Sequence, residues 1–264
     1  MFVDRPGNSR SGKAWRLSGS VVAVGLLGLG TLRVVEQLGH EQETIVSEID
    51  GSRLRTVDVR TDAGSIHIVG GDDDTVRMTA RVDHGLRDTE HSQRVEGDRL
   101  VVRGDCPAFL SQFCNVDYDI EVPRDVAVVV HTGNDRATVR DVTGDVAAST
   151  GNGRVELVGA TGDVQLRSGN GRVVGSGLSS ERVEARTGNG SVDLTFVDSP
   201  RTVYARSGNG SVEIVLPDED IAYLVDESSG NGAVDTQIRT DPTSDRTITA
   251  RTGNGNVTIR YPSG

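Results

Sequence analysis

The chain has 264 residues, 28 of them basic and 39 acidic, for a net charge of −11. That balance excludes a surface built to hold nucleic acid, because phosphate contacts need clustered arginine and lysine. Aromatics reach only 3% against 33 glycines, which argues against a thick globular core and for a thin Val/Leu/Ile/Ala core in a repeat architecture.

Residues 1–16 hold Arg5, Arg10, Lys13 and Arg16 against Asp4 alone, a balance of +3 that leaves −14 on the rest of the chain. A small basic head before a large acidic body is the asymmetry of a membrane-targeted chain. Lys13 is the sole lysine, and arginine in place of lysine alongside abundant Gly, Ala, Val and Asp points to a GC-rich genome such as an actinobacterium's.

Between Arg16 and Arg33 runs LSGSVVAVGLLGLGTL, free of charge. A span needs about 20 apolar residues, and about 17 is the usual minimum. The reading adopted is a basic cytoplasmic tail (1–16), a signal-anchor transmembrane helix (17–35) and a linker (36–44), with the C-terminal body outside the cytoplasm. The alternative is a secretory signal cleaved after Gly28-Leu29-Gly30. Export is common to both.

Residues 45–130 read as an N-terminal β portion that starts and caps the repeat array. Cys106 and Cys114, with seven residues between them, most simply form a disulfide in an exported chain. A zinc site would need a second ligand pair, and a redox-active pair would need closer thiols. Asp72-Asp73-Asp74 after Gly70-Gly71 reads as a polar turn, since it lacks the spacing of calcium-binding rolls. His40, His67, His84, His91 and His131 show no metal-ligand spacing.

From residue 131 to 264 one unit recurs. HTGNDRATV, STGNGRVEL, RSGNGRVVG, RTGNGSVDL, RSGNGSVEI, SSGNGAVDT and RTGNGNVTI place asparagine at Asn134, Asn152, Asn170, Asn189, Asn209, Asn231 and Asn254. A fainter relative, RTDAGSIHI, lies at 60–68. Residues alternate apolar and polar on both sides of each turn, which means strand, turn, strand. Gly and Asn supply the backbone freedom the turn needs.

The fold class expected is all-β, a parallel β-solenoid with coils of about 18–23 residues. An antiparallel hairpin array is the alternative. Identity at the turn favours the solenoid, because stacked asparagines hydrogen-bond into a ladder. Stacking would also line up Arg167, Arg186, Arg206 and Arg251 in one outer stripe, and Glu156, Asp193, Glu213 and Asp235 in another. Those stripes are either a solvated surface or a strip that binds carbohydrate or cations. Tyr261-Pro262 is expected to close the last unit and blunt its edge.

The Ser/Thr-Gly-Asn-Gly-x-Val units, the early VDVRTDAGSIHIVG (57–70) and the lead-in CNVDYDIEVP (114–123) resemble a bacterial group of β-strand-repeat proteins known as "putative adhesins", whose domain has no assigned function. The resemblance covers residues 45–262 and implies an exported β-helical repeat protein with a cell-envelope role.

No catalytic residue, cofactor or metal ligand is assigned. Polysaccharide-cleaving β-helices gather carboxylates at one non-repeating spot, whereas here they recur with the period. Gly175-Ser176-Gly177 lacks the strand-to-helix setting of a nucleophile elbow. The function expected is an envelope scaffold or adhesin that engages the membrane and cell-wall polysaccharide or another envelope protein. The alternatives are an accessory partner in envelope-stress sensing and a carbohydrate-active enzyme.

Overall fold

The computed structural model describes residues 31–38, 40–83, 90–106 and 114–262, with side chains from residue 43 onward. Among the described residues it is all-β, with twenty-two strands in a twelve-stranded and a ten-stranded sheet, and both sheets are mostly parallel. The chain builds them alternately. β9 (Ala127–Thr132), β11 (Val146–Thr150), β13 (Val164–Asn170), β15 (Arg182–Asn189) and β17 (Thr202–Asn209) pair in parallel in the ten-stranded sheet. Their partners β10 (Ala137–Val142), β12 (Val155–Ala160), β14 (Val173–Leu178), β16 (Val192–Phe196) and β18 (Val212–Val215) do so in the other. Each Gly-Asn-Gly unit is therefore the corner of a coil in a solenoid-like stack, and the hairpin arrangement is not adopted.

Alternation along each strand explains the core. In β15, Val183, Ala185 and Thr187 point inward, while β16 contributes Val192, Leu194 and Phe196, all buried. Two facing sheets of small and medium aliphatics need few aromatics, which accounts for the composition.

The corner motif has a separate role for each residue. Its asparagines form a continuous ladder, each side-chain amide donating to the carbonyl oxygen of the next at 2.6–2.9 Å. The Ser or Thr before the first glycine points inward, and its hydroxyl donates at 2.7–2.9 Å to a corner carbonyl of the neighbouring coil. Thr150, Ser168, Thr187, Ser207, Ser229 and Thr252 all do this. The last glycine lets the coils approach: a Cβ on Gly171 would lie 1.9 Å from the Gly153 carbonyl oxygen. Thr187→Val keeps shape but leaves the Gly171 carbonyl without its donor. It is expected to cost about 1–3 kcal/mol, measured as a shift of the urea midpoint at constant slope.

The order of coils in space departs from the order in sequence at both ends. β21 (Thr247–Asn254) and β22 (Val257–Arg260) are inserted between the β17/β18 coil and the coil made by β19 (Leu224–Asn231) and β20 (Val234–Gln237). The spatial end of the stack is thus the 224–237 coil, and Tyr261-Pro262 does not close it. Tyr261 instead pins the returning chain. Its hydroxyl accepts from the Arg239 backbone N–H at 3.0 Å, and its ring lies 5.5 Å from the Arg239 guanidinium.

At the other end, β7 (Arg99–Asp105) and β8 (Asn115–Pro123) stack in parallel beneath β3 (Thr56–Thr61) and β4 (Ile66–Gly71). Those in turn lie beneath β9 and β10. Parallel stacking therefore begins well before residue 131. Antiparallel strands β1 (Thr31–Leu38), β2 (His40–Asp50) and β5 (Thr75–Asp83) extend one sheet, and β6 (Glu90–Glu96) the other.

The helix expected over 17–35 is corrected in part, because Thr31–Val35 lie in β1; residues 1–30 lie outside the described residues. The linker expected over 36–44 is largely strand as well. Among the described residues no helix is long and apolar enough to cross a membrane.

Cys106 and Cys114 are disulfide-bonded with Cα atoms 5.8 Å apart, joining the end of β7 to the start of β8 where other coils have the Gly-Asn corner. The Asp62 carboxylate accepts from the Cys106 backbone N–H at 3.0 Å, and the Asp62 carbonyl accepts from the Asn134 side chain at 3.4 Å. The disulfide thus continues the column of the asparagine ladder. Replacing both cysteines by serine is expected to cost roughly 2–3 kcal/mol through the freed unfolded chain. Urea unfolding with and without reductant checks this.

Candidate functional site

Every second residue of a coil strand points outward, and parallel register aligns those residues into rows along the stack. On the ten-stranded sheet one row runs Asp58, Val129, Ala147, Gln165, Glu184, Tyr204. The change from short to long side chains along it makes a hollow. An open groove of about 440 Å³ has Val129 and Ala147 on its floor and Arg182, Glu184 and Tyr204 at its wall. An adjoining recess of about 300 Å³ shares Val129, Ala147 and Gln165 and is bordered by Arg60, His131 and Arg167.

The groove has a largely apolar lining, and the charges around it are engaged. Asp58, only 3% exposed, is held by Arg60 at 2.9 Å and Arg99 at 2.6 Å. His131 Nδ1 lies 2.9 Å from the Ser149 hydroxyl. Asp163 pairs with Arg182 at 3.3 Å. Glu184 bridges Arg167 at 2.8 Å and Arg186 at 3.0 Å, and the Arg186 guanidinium lies 4.5 Å from the Tyr204 ring centre.

Of the residues singled out from sequence, Arg167, Arg186, Arg206 and Arg251 are successive neighbours in one outward row of this sheet. Glu156, Asp193, Glu213 and Asp235 lie on the opposite sheet, in a row interrupted by Val174 and Thr258. The two stripes are therefore not brought together. Three of those acids are matched locally, Glu156 by Arg140 at 3.2 Å, Asp193 by Arg172 at 2.6 Å and Glu213 by Arg260 at 2.9 Å. Hydrogen bonding to Asp193 holds the Arg172 guanidinium above its ordinary value. Asn134, Asn152, Asn170, Asn189, Asn209, Asn254 and Asn231 occupy the corners between the faces, in that spatial order.

The remaining candidates are dispersed. Asp72 pairs with Arg124 and Asp73 with Arg77, as a polar turn would. Among the described residues no group of His, Cys, Asp and Glu is arranged to hold a metal ion. His67 lies 3.5 Å from Asp119. His91 meets the Tyr118 hydroxyl at 3.0 Å, and burial pushes that hydroxyl up from its ordinary value. His84 and the His40 side chain fall outside the described residues. Gly175-Ser176-Gly177 lies in β14, with a register shift and no helix after it.

Sequence reasoning missed the groove, whose floor residues Ala127, Val129 and Ala147 carry no motif, and it missed the inward Ser/Thr ladder.

Neither a family model nor a curated protein matches the chain. Among solved structures, a "putative cell adhesion protein" from Clostridium sporogenes is similar at 11% identity and a TM-score of 0.41, over 85% of this chain and all of that one. A "putative adhesin" from Bacteroides fragilis is similar at 11% identity and a TM-score of 0.31, over 83% of this chain and 97% of that one.

Proposed function

We propose that the protein is an exported cell-envelope binding module of the adhesin kind, which engages a wall polysaccharide or another envelope protein through the outer face of its ten-stranded sheet. The observation that carries this reading is the open groove on that face, where a flat, self-complementary stack would otherwise present no hollow. The carboxylates beside the groove are tied to arginines, or in the case of Asp145 to the Asp163 backbone N–H. That favours binding over bond cleavage, and no catalytic role is assigned.

Export rests on the basic head and the apolar stretch after Arg16, which holds the protein at the membrane with its body outside the cytoplasm. The alternative is a secretory signal cleaved after Gly28-Leu29-Gly30. The mass of the mature N-terminus decides between anchor and cleaved signal.

The function itself is tested by incubating the purified protein with isolated cell walls. Retention that resists washing at moderate salt is expected, and passage straight through the wall fraction counts against the reading.

A further inference from the structure

We propose that the row Arg167, Arg186, Arg206, Arg251, with the groove beside it, is the binding site of a linear polyanion laid along the stack axis. This rests on the binding-module reading and names its ligand class.

Adjacent strands lie about 4.8 Å apart, so four in-register guanidiniums form a line of positive charge at that pitch. Like charges directly opposite one another are destabilising. Repetition rewards asparagine and Ser/Thr because each bonds to its neighbour, but it gives arginine no such return. Among the described residues the row is served by two carboxylates, Glu184 on Arg167 and Arg186, and Asp226 on Arg251. Arg206, exposed between Arg186 and Arg251, makes no ion pair or side-chain hydrogen bond among the described residues.

The opposite face shows the contrast. Its acidic row is interrupted by neutral residues, and Glu156, Asp193 and Glu213 each have an arginine. One face matches three of its four row acids with arginines, while the other leaves an excess of guanidinium at its centre. That excess lies alongside the hollow, because Arg167 borders the recess and Tyr204, two residues before Arg206 on the same outer face, walls the groove. Guanidinium forks take carboxylate and phosphate in the same bidentate geometry. The ligand is thus a polymer bearing regularly spaced anions on spacers that fit the groove, either a polyuronate or a polyol phosphate.

The test titrates the full chain into fluorescently labelled polygalacturonate, poly(glycerol phosphate) and uncharged dextran, following anisotropy. At least one polyanion is expected to bind and dextran not to, with affinity falling as salt rises. The polyanion preferred assigns the ligand to the carboxylate or the phosphate source. Arg206→Ala should weaken binding about tenfold and Arg206→Lys less. Arg140→Ala on the opposite sheet should change nothing, with unchanged thermal midpoints showing that the variants fold. Failure of both polyanions to bind, an unaffected Arg206→Ala, or an equal loss from Arg140→Ala overturns the proposal. If the chain is then still retained on isolated walls, the binding-module reading stands with a different ligand. If it is not retained, both fall.

Discussion

Replacing Ala250 by Glu is expected to cost about 4 kcal/mol or more of folding stability, while replacing Glu227 by Ala should move stability by no more than about 1 kcal/mol. The two residues occupy the same inward position of adjacent coils, as their register shows. Ala250 is fully buried because the β21/β22 coil lies between two others. Glu227 sits in the end coil, where it hydrogen-bonds Thr236 and where Leu224 and Val234 are 39% and 42% exposed. An inward-pointing charge on an edge strand is a known device against edge-to-edge association. Were the coils stacked in sequence order, Glu227 would lie in the interior and Ala250 at the end, so Ala250→Glu would cost little and Glu227→Ala would stabilise. Urea unfolding of both variants reads the difference.

The second large effect is expected at a corner. Gly190 has φ of +143°, and a Cβ there would lie 2.3 Å from the Gly171 carbonyl oxygen of the neighbouring coil. Gly190→Ala therefore combines a disfavoured backbone conformation with a backbone clash that no side-chain rotation relieves, and at least about 3 kcal/mol should be lost. Gly97→Ala is the control. It has φ of +64° and open space around the added carbon, so only the conformational cost of about 1–2 kcal/mol applies. Equal losses at the two glycines would show that coil contact is not what the corner glycine serves.

How far the molecule can be read from its sequence depends on what each signal encodes. The coil corner is legible because Ser/Thr-Gly-Asn-Gly repeats, and its identity across units implies parallel stacking. Coil order is not legible, because near-identical corners stack equally well in any order. The marks of the end coil are Glu227, standing where its neighbours have Ala205 and Ala250, and Thr236, standing where they have Ile214 and Ile259. The β7/β8 coil is hidden because a disulfide stands in place of its Gly-Asn corner. The arginine stripe is visible as a periodicity. That it lies on a different sheet from the acidic stripe depends on which side of the corner each residue falls. The groove is invisible, since its depth comes from Ala147 and Val129 lying in register with Glu184 and Tyr204 several coils away, a relation no local pattern carries.

A stack of this kind suits a binding role because its rows are set by register. Altering one outward residue changes a single point on the face and leaves the corner ladders intact. Specificity can therefore reside in Arg206 or Tyr204 while the Asn and Ser/Thr ladders hold the shape.

The claim that the ten-stranded sheet presents the ligand face is tested most directly by hydroxyl-radical footprinting of the protein bound to isolated cell walls. Slowed oxidation of Tyr204 and His131, with His67 on the opposite sheet unchanged, is the result this account predicts. Protection of His67 with Tyr204 still reactive would contradict it.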